Sequence, residues 1–441
     1  MHKRLKFLLI NPTAPEWRVT SGKGPLKKTQ IFRYSMLSSL YVAAAMPASV
    51  ETRIVDEEVE AIDFDTDADL IGISFMTFNA PRAYEIADEF RNHRSKPVIV
   101  GGYHPSFMPE EVLGHADAVC IGEAENNVPR MIEDFMAGRL SRIYRNGTVD
   151  LKGLPVPDRG LIKQGSYSVV DTVQATRGCP QRCTFCSIST FFGQKFRSRP
   201  VDEVIEELKQ LGKYLLFMDD NIISDADYAK DLFEKMIPLG KIWFSQCSTR
   251  VAYNDELLSL ARRSGCRGLF VGFESLSQDG LKDWNKSFNR AKDYAWVIKQ
   301  IHLKGISVCA AIVFGNDSDT PEIFPRTLEF LLTSNVDVLQ ATILTPFPGT
   351  PLFDEMDREG RIVDKNWGHY DFRHVVFEPH RMGREVLKDG HDWVLSKFYS
   401  RQSIARRLRN ELAYLNPNTM LRATLPLNIS YRSRLSADGT F

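Results

Sequence analysis

The sequence lacks any apolar run approaching the roughly 18 residues that a membrane-spanning helix requires. FLLI stops at Asn11-Pro12, and Pro47 interrupts LYVAAAMPASV, so neither a span nor a signal-peptide core can be built from either stretch. Net charge is lacking too. Lys plus Arg and Asp plus Glu both total 56, which leaves no global field to draw the chain to a polyanion, and no nucleic acid partner is expected. The seven cysteines are odd in number, and without an export signal they argue against a disulfide framework. Reduced thiols with metal or redox work, in the cytoplasm, are the expectation.

Much of the remaining sequence reads as parallel sheet. The chain has 441 residues, 43% hydrophobic and 25% charged, enough for two or three globular domains with their own cores. Up to about residue 140, KFLLIN, TRIVDE, LIGISFM, PVIVGG and AVCIGE are continuous apolar runs, as suits strands covered on both faces. Between two of them, Ala83, Ile86, Ala87 and Phe90 share one helical face. A doubly wound, Rossmann-like α/β domain follows. Several strands end in small residues: Ser74 and Thr77, Gly101-Gly102, and Gly122. Such ends serve as tight turns, or let a large flat ligand approach the backbone. No G-x-G-x-x-G follows the first strand, so a dinucleotide fingerprint is absent.

Residues 141–167 carry Gly147, Gly153, Pro155, Pro157, Gly160 and Gly165 and read as a linker. From 168 to 345 the chain repeats strand then helix, with strands in VVDTVQA, KYLLFMDD, KIWFSQCS, RGLFVGFES, ISVCAAIVFG and VDVLQATIL. Six units are fewer than the eight of a closed barrel. Polar residues gather at the strand ends: Asp219-Asp220-Asn221, Ser248 and Arg250, Glu274-Ser275, and Gly315 with Asp317. Cys247, Cys266 and Cys309 lie on or beside strands and read as small buried hydrophobes.

TRGCPQRCTFCSI places Cys179, Cys183 and Cys186 in a C-x3-C-x2-C spacing. Structural zinc, the bland alternative, wants four closed ligands, yet no histidine occurs between His115 and His302 and the next cysteine is Cys247. Three thiolates suit a 4Fe-4S cluster with one iron left open.

These motifs carry a resemblance. C-x3-C-x-F-C, with Phe185 before its last cysteine and TRG before its first, resembles the radical S-adenosylmethionine (SAM) enzymes. GISFMT, VGGYHPSFMPEEVL and DAVCIGEAE are similar to the cobalamin-binding domain that many of them carry. The resemblance implies cobalamin held by Ser74, Thr77, Gly101, Gly102, Tyr103, His104, Gly122, Glu123 and Glu125. The corrinoid motif D-x-H-x-x-G, which supplies a cobalt-ligating histidine, is missing, and His104 reads as a surface or hydrogen-bonding histidine. The resemblance further implies a partial (βα)6 barrel and a cluster on Cys179, Cys183 and Cys186. SAM would lie near Phe185, Asp219, Asp220, Glu274, Phe314 and Gly315.

The last segment, 346–441, includes TPFPGTPLF and DWVLSKFYSRQSIARRLRNELAYL and is expected to be mainly helical and to close the barrel or shape the pocket. Arg406, Arg407 and Arg409 beside Leu408, Leu412 and Leu415 read either as a solvated helix face or as peripheral membrane contact. MDDN, GFES, TP-x-PGTPLF and the FYS segment are similar to the branch containing the hopanoid C-2 methylases. The implied activity is cobalamin-dependent methylation of an unreactive carbon through a 5′-deoxyadenosyl radical. The implied partners are a small-molecule substrate, with lipids and other hydrophobic metabolites in view, and an electron donor of flavodoxin or ferredoxin type. A non-methylating ring-forming or oxidising enzyme, or an N-terminal domain serving only as an interaction module, stands as the alternative.

Overall fold

A computed structural model describes residues 4–20 and 32–437. The first six strands are β1 (Leu5–Asn11), β2 (Val50–Asp56), β3 (Leu70–Ser74), β4 (Val98–Gly101), β5 (Ala118–Ile121) and β6 (Ile143–Arg145). They form one parallel sheet in the order β2-β1-β3-β4-β5-β6. The apolar runs supply both faces, because alternate side chains point to opposite sides. Leu8, Ile10, Ile71, Ile73 and Val100 pack on the helix carrying Ala83, Ile86 and Ala87, while Phe7, Leu9, Leu70 and Ile99 enter the other core. Strand order reverses between β1 and β3, which opens a crevice at the carboxyl ends of the strands.

β6 lies inside the stretch that reads as a linker. Its three residues pair with β5 and bury Tyr144 while Ile143 and Arg145 face out. Val149, Leu151, Ile162 and Tyr167 are buried after it, and the Tyr167 hydroxyl donates to Asp56 Oδ2 at 2.9 Å. The glycines and prolines therefore shape a strap held against the sheet.

The second sheet begins with β7 (Thr172–Val173). A short antiparallel hairpin follows, β8 (Thr176–Arg177) with β9 (Arg197–Ser198), and then β10 (Tyr214–Phe217), β11 (Ile242–Ser248), β12 (Cys266–Glu274), β13 (Ser307–Phe314) and β14 (Val338–Ile343). The six long-sheet strands run parallel in consecutive order from β7 and β10 to β14, with both edges open, as a partial barrel. Trp243, Leu269, Val271, Phe273, Val308 and Ile312 form its outer, helix-covered core, which Cys247 and Cys266 join. Cys309 is half-buried.

The C-terminal helices cover the β14 edge, where unpaired backbone groups need partners. One side chain serves two of them: the Tyr399 hydroxyl accepts from Leu339 N at 3.0 Å and donates to Leu339 O at 2.5 Å. Arg407 is turned inward rather than solvated, 2% exposed, and donates to the carbonyls of Asp337 and Phe398 and to Asn428 Oδ1. Among the described residues, no helix is long and apolar enough to cross a membrane.

A buried ion network joins the β8–β9 hairpin to the turn that follows β5. Arg177 Nη1 reaches Glu123 Oε1 at 2.8 Å, and its Nη2 reaches Glu125 Oε1 at 2.5 Å. Arg197 meets the other Glu123 oxygen at 2.9 Å. Removing one member of a buried pair strands a charge without water or partner. Arg177→Met is therefore expected to cost about 3–5 kcal/mol, seen as an earlier urea-unfolding midpoint. Arg177→Lys should recover less than half of that, because an ammonium cannot span two carboxylates.

Candidate active site

A cavity of about 410 Å³ lies between the carboxyl ends of β3, β4 and β5 and the mouth of the barrel. Ser74, Gly101, Gly102 and Gly122 line it from the first sheet, and Phe7, Leu9, Ile99, Cys120 and Met131 line its apolar depth. Gln174, Met218 and Asp220 come from the barrel, and Ile188, Phe191 and Phe192 from the segment that follows the cysteines. Glu123, Glu125 and Arg177 also reach the wall, so the ion network borders the cavity.

The glycines have separate reasons. Gly102 has φ +108, and a Cβ there would stand 2.6 Å from the Phe75 carbonyl oxygen, so no other residue fits. Gly101 is in ordinary extended backbone, and a Cβ would meet only Cys120, at 3.4 Å. Its bareness therefore serves the cavity and not the chain. Ser106, which sequence reading missed, ties the two loops: its hydroxyl donates to Gly102 O at 2.7 Å and accepts from Gly122 N at 2.9 Å.

Thr77, Tyr103 and His104 lie off the cavity wall. Thr77 is buried, its hydroxyl without a partner among the described residues. Tyr103 turns to the domain seam, donating to Pro348 O at 2.9 Å beside Phe191 and Phe347. His104 is fully buried. Tyr84 donates its one hydroxyl proton to Glu111, so His104 Nε2 donates to the Tyr84 oxygen at 3.0 Å. The ring stands edge-on to Trp367, 5.1 Å away, and hydrogen-bonds within the protein.

The cysteine loop hangs from two aspartates. Asp219, fully buried, accepts from Ala175 N, Thr176 N and Thr176 Oγ1, and Asp220 accepts from Gly178 N at 2.9 Å. Burial pushes Asp219 up to about 7 and Asp220 to about 6. Cys186 stands at the N-cap position of the helix Ser187–Phe191, and burial raises its pKa more than the nearby Ser189 and Ile188 N–H groups lower it. Burial raises all three thiols, Cys183 to about 12, so they stay protonated until a metal displaces the proton. Cys186 N donates to Cys183 O at 3.1 Å, a turn that draws these two cysteines together. Among the described residues, no three His, Cys, Asp or Glu side chains are placed to hold a single ion. The donor set itself, three thiols on one loop, fits a polynuclear cluster in which each sulfur takes its own iron.

The other residues expected around SAM divide. Phe185 packs edge-on to Trp284 at 5.1 Å beside the cysteines. Glu274 ends β12 with φ +66, and its carboxylate meets Lys286 Nζ at 2.5 Å. Phe314 is buried in the outer core against Phe324 and His391. Gly315, φ +104, donates its N–H to Asp319 Oδ2 at 3.0 Å. Lys286 went unread in the sequence, because it follows a short helix and a loop instead of a strand end.

Comparison with known proteins agrees with this geometry. Residues 34–132 match the model of the B12 binding domain, and residues 173–331 match that of the radical SAM superfamily. The chain is 30% identical over 422 residues to the bacteriochlorophyllide d C-12(1)-methyltransferase of Chlorobaculum tepidum, covering 92% of this chain and 90% of that one. It is 27% identical to the hopanoid C-2 methylase of Rhodopseudomonas palustris, over 87% of this chain and 76% of that one. In fold it is similar to the methyltransferase TsrM from Kitasatospora setae, solved with cobalamin and a [4Fe-4S] cluster bound. That likeness has a TM-score of 0.68 and 16% identity, over 99% of this chain and all of that one. The protein belongs to the radical SAM enzymes that carry an N-terminal B12-binding domain, and its cofactors are a 4Fe-4S cluster, SAM and cobalamin.

Proposed function

We propose that this enzyme methylates an unactivated carbon of a rigid, largely hydrophobic polycyclic small molecule. The observation that carries the reading is the shared cavity: glycine-lined strand ends form one wall, and Ile188, Phe191 and Phe192, just after the last cysteine, stand on the other side. When bound, the cluster with SAM supplies a carbon-centred radical able to take hydrogen from an inert carbon, and cobalamin supplies the methyl group. An sp3 carbon offers no lone pair to an ordinary methyl sulfonium, so the two supplies have to meet in one place.

The chain's own residues arrange that meeting. Cys179, Cys183 and Cys186 would hold three irons and leave the fourth for SAM. Asp219 and Asp220 fix the strand and turn from which the cysteine loop hangs. Ser74, Gly101, Gly102 and Gly122 would support the corrinoid, whose flat ring needs a wall without side chains. Met218, Ile188, Phe191 and Phe192 exclude water, which protects a radical from quenching. The substrate class is supported by two relatives named for acting on different ring frameworks, a bacteriochlorophyllide and a hopanoid. An external electron donor of flavodoxin or ferredoxin type completes the proposal.

Two experiments test it. Anaerobic turnover with methyl-deuterated SAM and a bacteriochlorophyllide or hopanoid acceptor should give a product carrying the intact labelled methyl, and a product without label would defeat methylation. In Gly101→Val the new methyls enter the cavity without backbone strain. The variant should lose corrinoid absorbance on desalting while keeping its iron, and undiminished retention would remove cobalamin from that wall.

A further inference from the structure

The cysteine loop stands at the carboxyl ends of the barrel strands, so their amino ends form a rim remote from it. Because the strands are parallel and consecutive, the turns that lead into β10, β11, β12, β13 and β14 lie side by side along that rim. Side chains tie these turns together. Lys241 Nζ donates to Leu211 O and Gly212 O at 2.6 and 3.1 Å. A Cβ on Gly305 would stand 3.3 Å from Tyr414 O and 3.4 Å from Arg262 Nε, so the turn before β13 touches both its neighbour and the C-terminal segment. Asn410 Nδ2 donates to Asn335 Oδ1 at 2.7 Å, and Arg422 donates to the Tyr214 hydroxyl, which closes the circuit from β14 back to β10.

The rim is one-sided in charge. Lys213, Arg263, Arg409 and Arg422 are exposed and have no carboxylate partner among the described residues. Of the acids in these turns, Asp337 and Glu411 are fully buried, and Asp171 accepts Gly212 N at 2.7 Å. Asp255 and Glu206, on the helices beside them, pair with Lys304 and Lys209 at 2.5 Å each. Apolar tips from three separate elements stand among the cations. Leu303 is 65% exposed, Leu412 56% and Leu421 55%.

Cations in the last turn of a helix offset its dipole, which accounts for Arg263 and Arg409. It does not account for Lys213, which precedes a strand, or for three leucines left in water on one rim. Single exposed apolar side chains are ordinary, whereas apolar side chains grouped among polar ones mark a contact surface. A nucleic acid would meet the charge and leave the leucines in water. Anionic headgroups over acyl chains suit both, since the cations meet phosphate while the leucines enter the apolar boundary.

We propose that this rim docks on an anionic lipid surface, with the four unpaired cations as its charge and the three leucines as its anchors. It is broader than the one helix face legible in the sequence: Arg407 and Leu415 of that face are buried, and Arg409 and Leu412 stand on the rim. Docking there leaves the cysteine loop and the cavity, at the other end of the strands, open to electron donor and substrate. It does not depend on which carbon the enzyme methylates.

The test is co-sedimentation of the reconstituted full-length holoenzyme with vesicles of phosphatidylcholine, alone or mixed equally with phosphatidylglycerol. Wild type should pellet with the mixed vesicles, less so at high salt, and stay in solution with the neutral ones. Lys213→Gln with Arg263→Gln should weaken binding about thirtyfold, or about fivefold per cation. Leu303→Ser with Leu421→Ser should weaken it about tenfold. SAM cleavage to 5′-deoxyadenosine without vesicles should be unchanged in both variants, which checks their folding, and if one does not fold the other decides. Wild type that ignores anionic vesicles overturns the proposal, as does binding that the folded variants retain or that neutral vesicles match. A wild-type dimer that the leucine variant loses, with no vesicle binding, would assign the rim to a second copy of the chain instead. No acceptor enters the test, so its failure is distinct from failure of the methylation reading.

Discussion

Arg177 stands two residues before the first cysteine, and both of its terminal nitrogens are bound to carboxylates in the turn after β5 of the first sheet. Burying three charges is costly, and the cost is offset only while all of them face one another. The arrangement is therefore all-or-none, and that property makes it useful. A surface salt bridge would let the two sheets drift, since exposed pairs are weak and screened. A buried one with a planar fork fixes both spacing and orientation. The glycine-lined strand ends and the cysteine loop are held apart at one distance, and the cavity between them depends on it.

The same device recurs on a smaller scale. Buried carboxylates in this protein mostly hold backbone. Asp219 takes two N–H groups and a hydroxyl, Asp319 takes the N–H groups of Gly315 and Asn316, and Glu123 takes that of Val149 besides its arginines. Residues at barrel strand ends thus fall into two sets: Asp219 and Asp319 fix loops alone, while Asp220 holds Gly178 N and also borders the cavity. Sequence position does not separate them, because both sets follow an apolar run directly.

That limit explains what could be read in advance. The five long N-terminal runs and the six barrel strands were legible because each is continuous, β-rich and bounded by turn residues. β6 was not, since three residues are too few for an apolar pattern and proline and glycine surround it. The cysteine triplet was legible from spacing alone. Ser106 was not, because its role comes from which loops meet, Gly102 with Gly122. Side-chain direction was equally hidden. Arg407 reads as part of a solvated helix face or a membrane contact but is folded inward, and nothing in the sequence shows that the Tyr399 hydroxyl completes the edge of β14.

The helix Ser187–Phe191 shows how fold and chemistry are joined. Its cap is a cluster cysteine, and two side chains near its far end, Phe191 and Phe192, line the cavity. Cluster site and cavity wall are consecutive turns of one short segment, so neither can shift without the other. A radical made at one and used at the other needs a short, dry and fixed path, because a mobile path admits water and side reactions. Building both ends on one segment, and locking that segment through Arg177 to the opposite wall, meets the requirement with the backbone itself.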